Sequence, residues 1–259
     1  FTDKIEEDHN IIFKPNVGPQ TDFLAASERE VLYGGSAGGG KSYAMLADPL
    51  RYMGNPSFSG LLLRHTTEEL RELITKSQEM YPKIWPGIKW SERKMQWTAP
   101  SGATLWLSYL DKDQDVTRYQ GLAFSWIGFD ELTQWSTPFA WNYMRSRLRS
   151  ADPELPLCMR ATTNPGGRGH HWVKKMFIDP APAGKSYIAT DIDTGEQLKY
   201  PAGHEKAGRP LFKRRFIPAR LKDNPYLAQQ GDYEAMLLSL PEQQRRQLLD
   251  GDWDIKEGA

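Results

Sequence analysis

The run Gly35-Ser36-Ala37-Gly38-Gly39-Gly40-Lys41-Ser42 fits the spacing G-x-x-x-x-G-K-[ST]. Successive backbone N–H groups in such a run can point into one concavity, and a helix starting at its end adds positive potential. That suits a ligand with many anionic oxygens, a polyphosphate, and side chains on the loop would block its approach. In a loop of this kind Lys41 would reach the β- and γ-phosphates and Ser42 would ligate Mg²⁺. A second pair of residues could complete the chemistry. Ser125-Trp126-Ile127-Gly128-Phe129 is apolar and ends in Asp130-Glu131. An aspartate at a strand's end suits the water shell of Mg²⁺, and the adjacent glutamate suits polarising an attacking water.

These residues need strands that stop beneath them and helices that start above. Glu30-Val31-Leu32-Tyr33 reads as a short buried strand before the glycine loop, and Tyr43 to Tyr52 as the helix after it. A helix is expected roughly over Pro19 to Ala26. Gly60 to Arg64 is a second apolar strand, and Thr66 or Thr67 can cap a helix running to about Tyr81, with Glu68 and Glu69 in its first turn. Lys89 to Trp97 and Ala103 to Leu110 read as a hairpin joined by Ala99-Pro100-Ser101-Gly102. Residues 111 to 124 read as a polar loop with a short helix, Pro138 to Arg149 as a helix, and Pro156 to Ala161 as a strand running into Thr162-Thr163-Asn164-Pro165-Gly166-Gly167. A hairpin around Asp193-Thr194-Gly195, a last strand over Arg214 to Ile217 and two closing helices, about 225 to 239 and 241 to 250, complete the chain. Strands alternating with helices imply an α/β fold: a central, mostly parallel sheet flanked by helices, with ligands at the strands' C-terminal ends.

Composition narrows the class. The 259 residues are 39% hydrophobic and 25% charged, ordinary for a globular domain, and 33 basic residues balance 33 acidic ones, so net charge names no partner. The single cysteine, Cys158, excludes an internal disulfide framework and fits a reducing compartment. No run is long and apolar enough for a membrane span. The first ten residues are polar, unlike a signal peptide, and the missing initiator methionine suggests a piece of something longer. The nine tryptophans read as core or interface packing. Two segments, 155 to 178 and 209 to 222, are basic without an acid in the stretches Pro156–Ile178 and Arg209–Lys222, and could meet phosphate backbones or be solvated faces. His170-His171 has no metal-type neighbours in sequence, so zinc is not expected there.

On these residues the chain resembles the ATPase domain of tailed-phage terminase large subunits, the DNA-packaging motor, over nearly its whole length. Pro19-Gln20 and Phe23 resemble the family's adenine-binding segment. The glycine loop matches its Walker A motif and Ile127-Gly128-Phe129-Asp130-Glu131 its Walker B motif. Leu62-Leu63-Arg64 with Glu69-Leu70 resembles the strand and helix between them. Ala161 to Gly167, with Asn164 at its centre, is similar to the coupling motif, which senses the nucleotide state. Asp223 to Leu227 and Leu249 to Trp253 resemble the closing stretches.

The resemblance implies a P-loop NTPase of the ASCE type: a core over residues 1 to 220 and a small helical lid or linker over 221 to 259, where the family's nuclease domain would follow. It implies ATP and Mg²⁺ as ligands, with Gln20, Phe23, Gly35, Ser36, Ala37, Gly38, Gly39, Gly40, Lys41, Ser42 and Asn164 around the nucleotide, Ser42 and Asp130 around the metal, and Glu131 and Lys41 in catalysis. It implies double-stranded DNA, a portal protein and a small terminase subunit as partners, a homo-oligomeric ring of about five subunits on a procapsid, the host cytoplasm as the place of action, and no membrane. DNA cleavage is not expected of this stretch. Many family members carry an arginine inside the glycine loop where this chain has Ala37, so a transition-state arginine must come from elsewhere. Arg118, in the loop before the Asp130 strand, is the first choice, with Arg64 and the group Arg145, Arg147, Arg149 as alternatives. The competing readings are another P-loop DNA translocase, such as a helicase, and a nucleotide-gated scaffold without turnover, for which Glu131 has no use.

Overall fold

The computed structural model describes residues 14–38, 40–229 and 231–255. Gly39 of the glycine loop therefore lies outside the described residues, as do residues 1–13, Gln230 and residues 256–259. In chain order the main elements are α1 (Pro19–Ala25), β1 (Glu30–Gly35), α2 (Lys41–Ala47), β2 (Ser59–Arg64), α3 (Thr67–Ile84), β3 (Lys89–Ser91), β4 (Gln96–Thr98), β5 (Thr104–Tyr109), β6 (Trp126–Phe129), α4 (Phe139–Arg145), β7 (Cys158–Thr163), α5 (His170–Val173), β8 (Ser186–Ile188), β9 (Lys213–Ala219), α6 (Pro225–Ala228), α7 (Gly231–Leu238) and α8 (Glu242–Arg245).

Nine strands form one sheet in the order β3-β4-β5-β2-β6-β7-β1-β9-β8. The six central strands, β5 to β9 in that order, are parallel, and the antiparallel pairs lie at the two edges. Strands β1, β2 and β6 are buried on both faces, which is why their sequences are nearly continuous apolar runs rather than alternating ones. On one face Val31, Leu62 and Trp126 pack beneath α2 and α3, and on the other Leu32, Leu63 and Phe129 pack against Trp141 and Phe177. Helix α3 begins in a capping box: Thr66 accepts from the Glu69 N–H and Glu69 accepts from the Thr66 N–H. Its buried residues Leu70, Leu73, Ser77 and Met80 recur at steps of three and four, one face of a helix.

The structure differs from the sequence reading in several places. The hairpin expected around Asp193-Thr194-Gly195 is reduced to an isolated bridge between Thr190 and Gln197, and β8 pairs with β9 instead. Lys89 to Trp97 holds a hairpin of its own, with a turn that puts Met95 at φ 52° between β3 and β4, so the edge is a three-stranded meander. The helix after Pro138 stops at Arg145, because the chain at Arg147 and Arg149 exchanges backbone hydrogen bonds with Phe124 instead. The basic segments do not form one open surface. Arg160 and Arg214 are buried, and Arg160 donates to the carbonyls of Ala26 and Glu28.

Arg214 belongs to a buried ion-pair group at the N-terminal edge of the sheet. The fully buried Glu30 accepts from Arg214 at 2.8 Å and from Arg145. Burial alone would raise its pKa, but the two guanidiniums outweigh that and hold it below the ordinary carboxylate range. Glu30→Ala should therefore destabilise the fold by about 3–5 kcal/mol, since it leaves buried cations unpaired. The depressed pKa means that Glu30's contribution is present at neutral pH and lost as pH falls through and below its ordinary value near 4.5. Denaturant unfolding at pH 7 checks this, and an unchanged unfolding free energy there would refute it.

Candidate functional site

Four loops leave the C-terminal ends of β1, β6, β7 and β9 on one side of the sheet, and they build one cleft of about 370 Å³. Ala37, Gly38, Gly40, Lys41 and Ser42 line it from the glycine loop, Glu131 from the end of β6, and Asn164 from the end of β7. Strand β7 lies between β1 and β6, so the glycine loop and the Asp130-Glu131 pair stand one strand apart. That spacing leaves room for a ligand between them.

Two of the loop's glycines are sterically required. At Gly35, with φ 142°, a Cβ would land on the Ala219 carbonyl, and Gly40, with φ 73°, caps α2 in a left-handed conformation that suits glycine. Helix α2 then starts at Lys41 with its N-terminus facing the cleft, as an anion site needs. The Lys41 ammonium is buried and donates to the Ser36 carbonyl at 2.7 Å. Burial lowers its pKa, against the pull of Glu131 and Asp130.

Glu131 has φ 61° and ψ 55°, a left-handed conformation rare for a residue with a side chain. Such strain costs of order 1–3 kcal/mol and recurs where a side chain must be aimed. Here it turns the carboxyl into the cleft while the Thr162 hydroxyl accepts the Glu131 N–H. Burial first and the neighbouring Asp130 second push its pKa up, although Lys41 and Arg64 pull the other way.

Asp130 is fully buried. It accepts from Arg64 Nε at 2.7 Å and from the Thr162 hydroxyl, and it does not line the cleft. A carboxylate with two partners still has lone pairs left. The residues thus fit a hydrated Mg²⁺: Ser42 at the cleft wall offers the direct hydroxyl ligand and Asp130 a place behind it. Asn164 carries a buried side-chain Oδ1 without a hydrogen-bond partner, at the wall of the same cleft.

The remaining sequence-predicted residues lie elsewhere. Gln20 is buried beside the loop, and its amide donates to the Gly40 carbonyl at 3.0 Å, so it braces the loop from behind. Phe23 has no exposed surface and stacks on Tyr33 at 5.1 Å in the core, which corrects its assignment to the adenine-facing wall. Gly35 and Ser36 are buried beneath the loop and do not line the cleft, and the Ser36 N–H donates to the Ala219 carbonyl. Arg118 is on the surface, in a separate cleft with Tyr109, Asp111 and Gln114. Its guanidinium donates to the carbonyls of Tyr109 and Asp115 rather than to a carboxylate, and lies over the rings of Tyr109 and Tyr119 at 5.6 and 5.7 Å.

The cleft also holds residues that sequence reasoning missed. From α3 come Glu72 and Lys76, paired at 2.5 Å, and Lys76 lies over the Tyr43 ring. From the closing segment come Asn224, Leu227 and Tyr233, and Asn224 donates to the Gly38 carbonyl at 2.5 Å. Only the i, i+4 spacing of Glu72 and Lys76 carried a local signal.

A parallel sheet with a glycine loop on β1, acids on β6 and an interposed β7 defines the P-loop NTPase class of fold. The chain belongs to the family described as terminase large subunit, T4likevirus-type, N-terminal, whose model matches residues 32–259. Among solved structures it is similar to the large terminase of the thermophilic bacteriophage D6E, with TM-score 0.65 and 19% identity over 95% of this chain and 55% of that one. The same phage's terminase in complex with ADP gives TM-score 0.64 at 17% identity, covering 93% of this chain and 54% of that one. The ATPase domain of the Thermus phage P74-26 large terminase gives TM-score 0.56 at 13% identity, covering 93% of this chain and 94% of that one. At these identities the likeness is one of fold, and the chain spans about half the length of the D6E terminase. No curated protein sequence matches.

Proposed function

We propose that this chain is the ATP-hydrolysing part of a large terminase, and that hydrolysis drives double-stranded DNA into a procapsid. The observation that carries it is the single cleft in which Lys41, Ser42, Glu131 and Asn164 meet in a chain of the terminase family. Solved relatives were captured with ADP and with ATP-gamma-S, which supports a nucleotide here.

ATP would lie with its phosphates over the later part of the loop, from Gly38 to Ser42, at the start of α2. Lys41 would exchange the Ser36 carbonyl for phosphate oxygens, a stronger partner because the acceptor is charged. Ser42, with Asp130 behind it, would hold Mg²⁺, and the bound ion would neutralise part of the phosphate charge. Glu131 would orient the attacking water, and Asn164 would supply the polar group whose partner depends on the nucleotide. Arg118 would act on a neighbouring copy's nucleotide, within a ring docked on a portal and working with a small terminase subunit in the host cytoplasm. Among the described residues no helix is long and apolar enough to cross a membrane.

Phosphate release from Mg·ATP, measured with and without double-stranded DNA, tests the reading, and a chain that releases no phosphate in either condition would overturn it. Lys41→Ala should weaken ATP binding by about ten- to a hundredfold, the loss of roughly 1.5–3 kcal/mol from a hydrogen bond to a charged group. Calorimetry checks this. Equal affinity in the variant would count against the phosphate loop.

A further inference from the structure

His170 stands apart from the residues discussed so far. It is 7% exposed and opens α5, directly after the Asn164-to-Gly169 loop. Its Nδ1 receives the Gly166 N–H at 2.8 Å, and its Nε2 lies 3.2 Å from the Trp253 carbonyl. A backbone amide can only donate and a carbonyl can only accept. The neutral imidazole with its proton on Nε2 therefore satisfies both partners, and neither the other tautomer nor the imidazolium does. The ring also stacks on the Trp253 indole, centroids 5.2 Å apart and planes 18° apart.

These contacts join two segments that lie behind the residues lining the cleft. On one side is the turn Gly166-Gly167, at φ 92° and 84°, which follows Asn164 and Pro165. On the other is the closing segment 246–254. That segment touches the phosphate loop as well, because the Ala37 N–H donates to the Leu248 carbonyl at 2.6 Å, and it touches the turn directly, because a Cβ on Gly166 would meet the Gln247 side chain. The same turn is tied back to the segment after Glu131: Gly169 N–H donates to the Thr133 carbonyl at 2.7 Å, and the Thr133 and Thr163 hydroxyls are 2.7 Å apart.

We propose that His170 is a positioning residue for ATP hydrolysis: by holding the Gly166 N–H and the Trp253 carbonyl at once, it fixes the loop that carries Asn164 and makes that loop's place in the cleft depend on the docked closing segment. The inference rests on the hydrolytic reading of the cleft. His170 does not touch the ligand site, so its effect reaches the reaction through Asn164, and misplacement of a group in a site costs rate more than affinity.

Two amides separate the two contacts. In His170→Asn the side-chain oxygen can sit near the Nδ1 position and still accept from Gly166. In His170→Gln the longer amide reaches the Nε2 position and can serve Trp253 but not Gly166. Turnover, ATP affinity and melting temperature are measured for both and for His170→Ala. His170→Ala and His170→Gln should lose about ten- to a hundredfold in turnover with affinity changed less than about threefold, and His170→Asn should recover most of the rate. Hydrogen exchange of the 164–170 backbone without nucleotide should be fast in the Ala and Gln variants and slow in the Asn variant. Wild-type turnover in His170→Ala overturns the proposal. So do equal rates and equal exchange in the Asn and Gln variants, which would mark a general packing role. An unsubstituted chain that releases no phosphate sinks the hydrolytic reading itself, and is told apart because every chain is then inactive.

Discussion

Glu131→Gln should bind ATP with nearly native affinity and release phosphate about 10²- to 10⁴-fold more slowly, the range by which a positioned general base accelerates a reaction. Glutamine keeps the shape of the side chain, and the left-handed backbone at this position does not depend on charge. What disappears is the carboxylate that accepts a proton from water. The electrostatics favour a clean separation of binding from turnover. Lys41 is pulled down by burial and up by Glu131 and Asp130, so neutralising Glu131 removes one charge that favours the Lys41 ammonium, and it removes at the same time one charge that repels the phosphates. The two effects oppose, and affinity should stay near native. Calorimetry with ATP beside a phosphate-release assay gives both numbers, and near-native turnover in the variant would remove Glu131 from the mechanism.

The glycine loop and the Asp130-Glu131 pair are readable from sequence because their chemistry is local. The loop needs bare backbone at a strand–helix junction, and the acids need the end of an apolar strand. Each requirement marks a few consecutive residues. Strand β2 and the cap at Thr66 are legible for the same reason. The far wall of the cleft is not. Asn224 meets Gly38 across 186 residues, and nothing in either segment announces the partner. Phe23 shows the opposite failure. Its place near the adenine rested on resemblance alone, and burial against Tyr33 uses the side chain for the core, a use that the sequence does not announce. The helix expected to Arg149 fails because a tertiary bond, Phe124 to the backbone at Arg147 and Arg149, outweighs helical propensity. His170 is the same lesson in a functional place. Next to His171 it invites a question about metal, and the answer lies in Gly166 on one side and Trp253 on the other.

Arg118→Ala should leave ATP affinity nearly unchanged and lower turnover by about 10³- to 10⁵-fold, roughly 4–7 kcal/mol of barrier, the contribution of an arginine delivered to a phosphoryl-transfer transition state. The cleft of one copy offers Lys41 as the cation nearest the phosphate loop, while Arg64 is engaged by Asp130 and Arg145 by Glu30. Arg118 is outside that cleft, so it can act only on a neighbour's nucleotide. Its geometry suits that use. Two carbonyls hold the guanidinium and two aromatic rings flank it, and among the described residues it forms no direct ion pair, so its charge is presented at the surface. A surface arginine with a purely local role would be worth little, since exposed contacts contribute about 0–1 kcal/mol. The two roles therefore differ by orders of magnitude in rate. Mixing the Arg118→Ala chain with the Glu131→Gln chain supplies the decisive arm. Each is inactive alone, but an interface that joins the Glu131 of the first to the Arg118 of the second is complete, so mixed assemblies should recover part of the rate. Unchanged turnover in Arg118→Ala, under conditions where assembly is verified by scattering, would shift the role to Arg147 or Arg149. Low turnover with no recovery on mixing would mean instead that Arg118 acts within its own chain, through the fold of its loop.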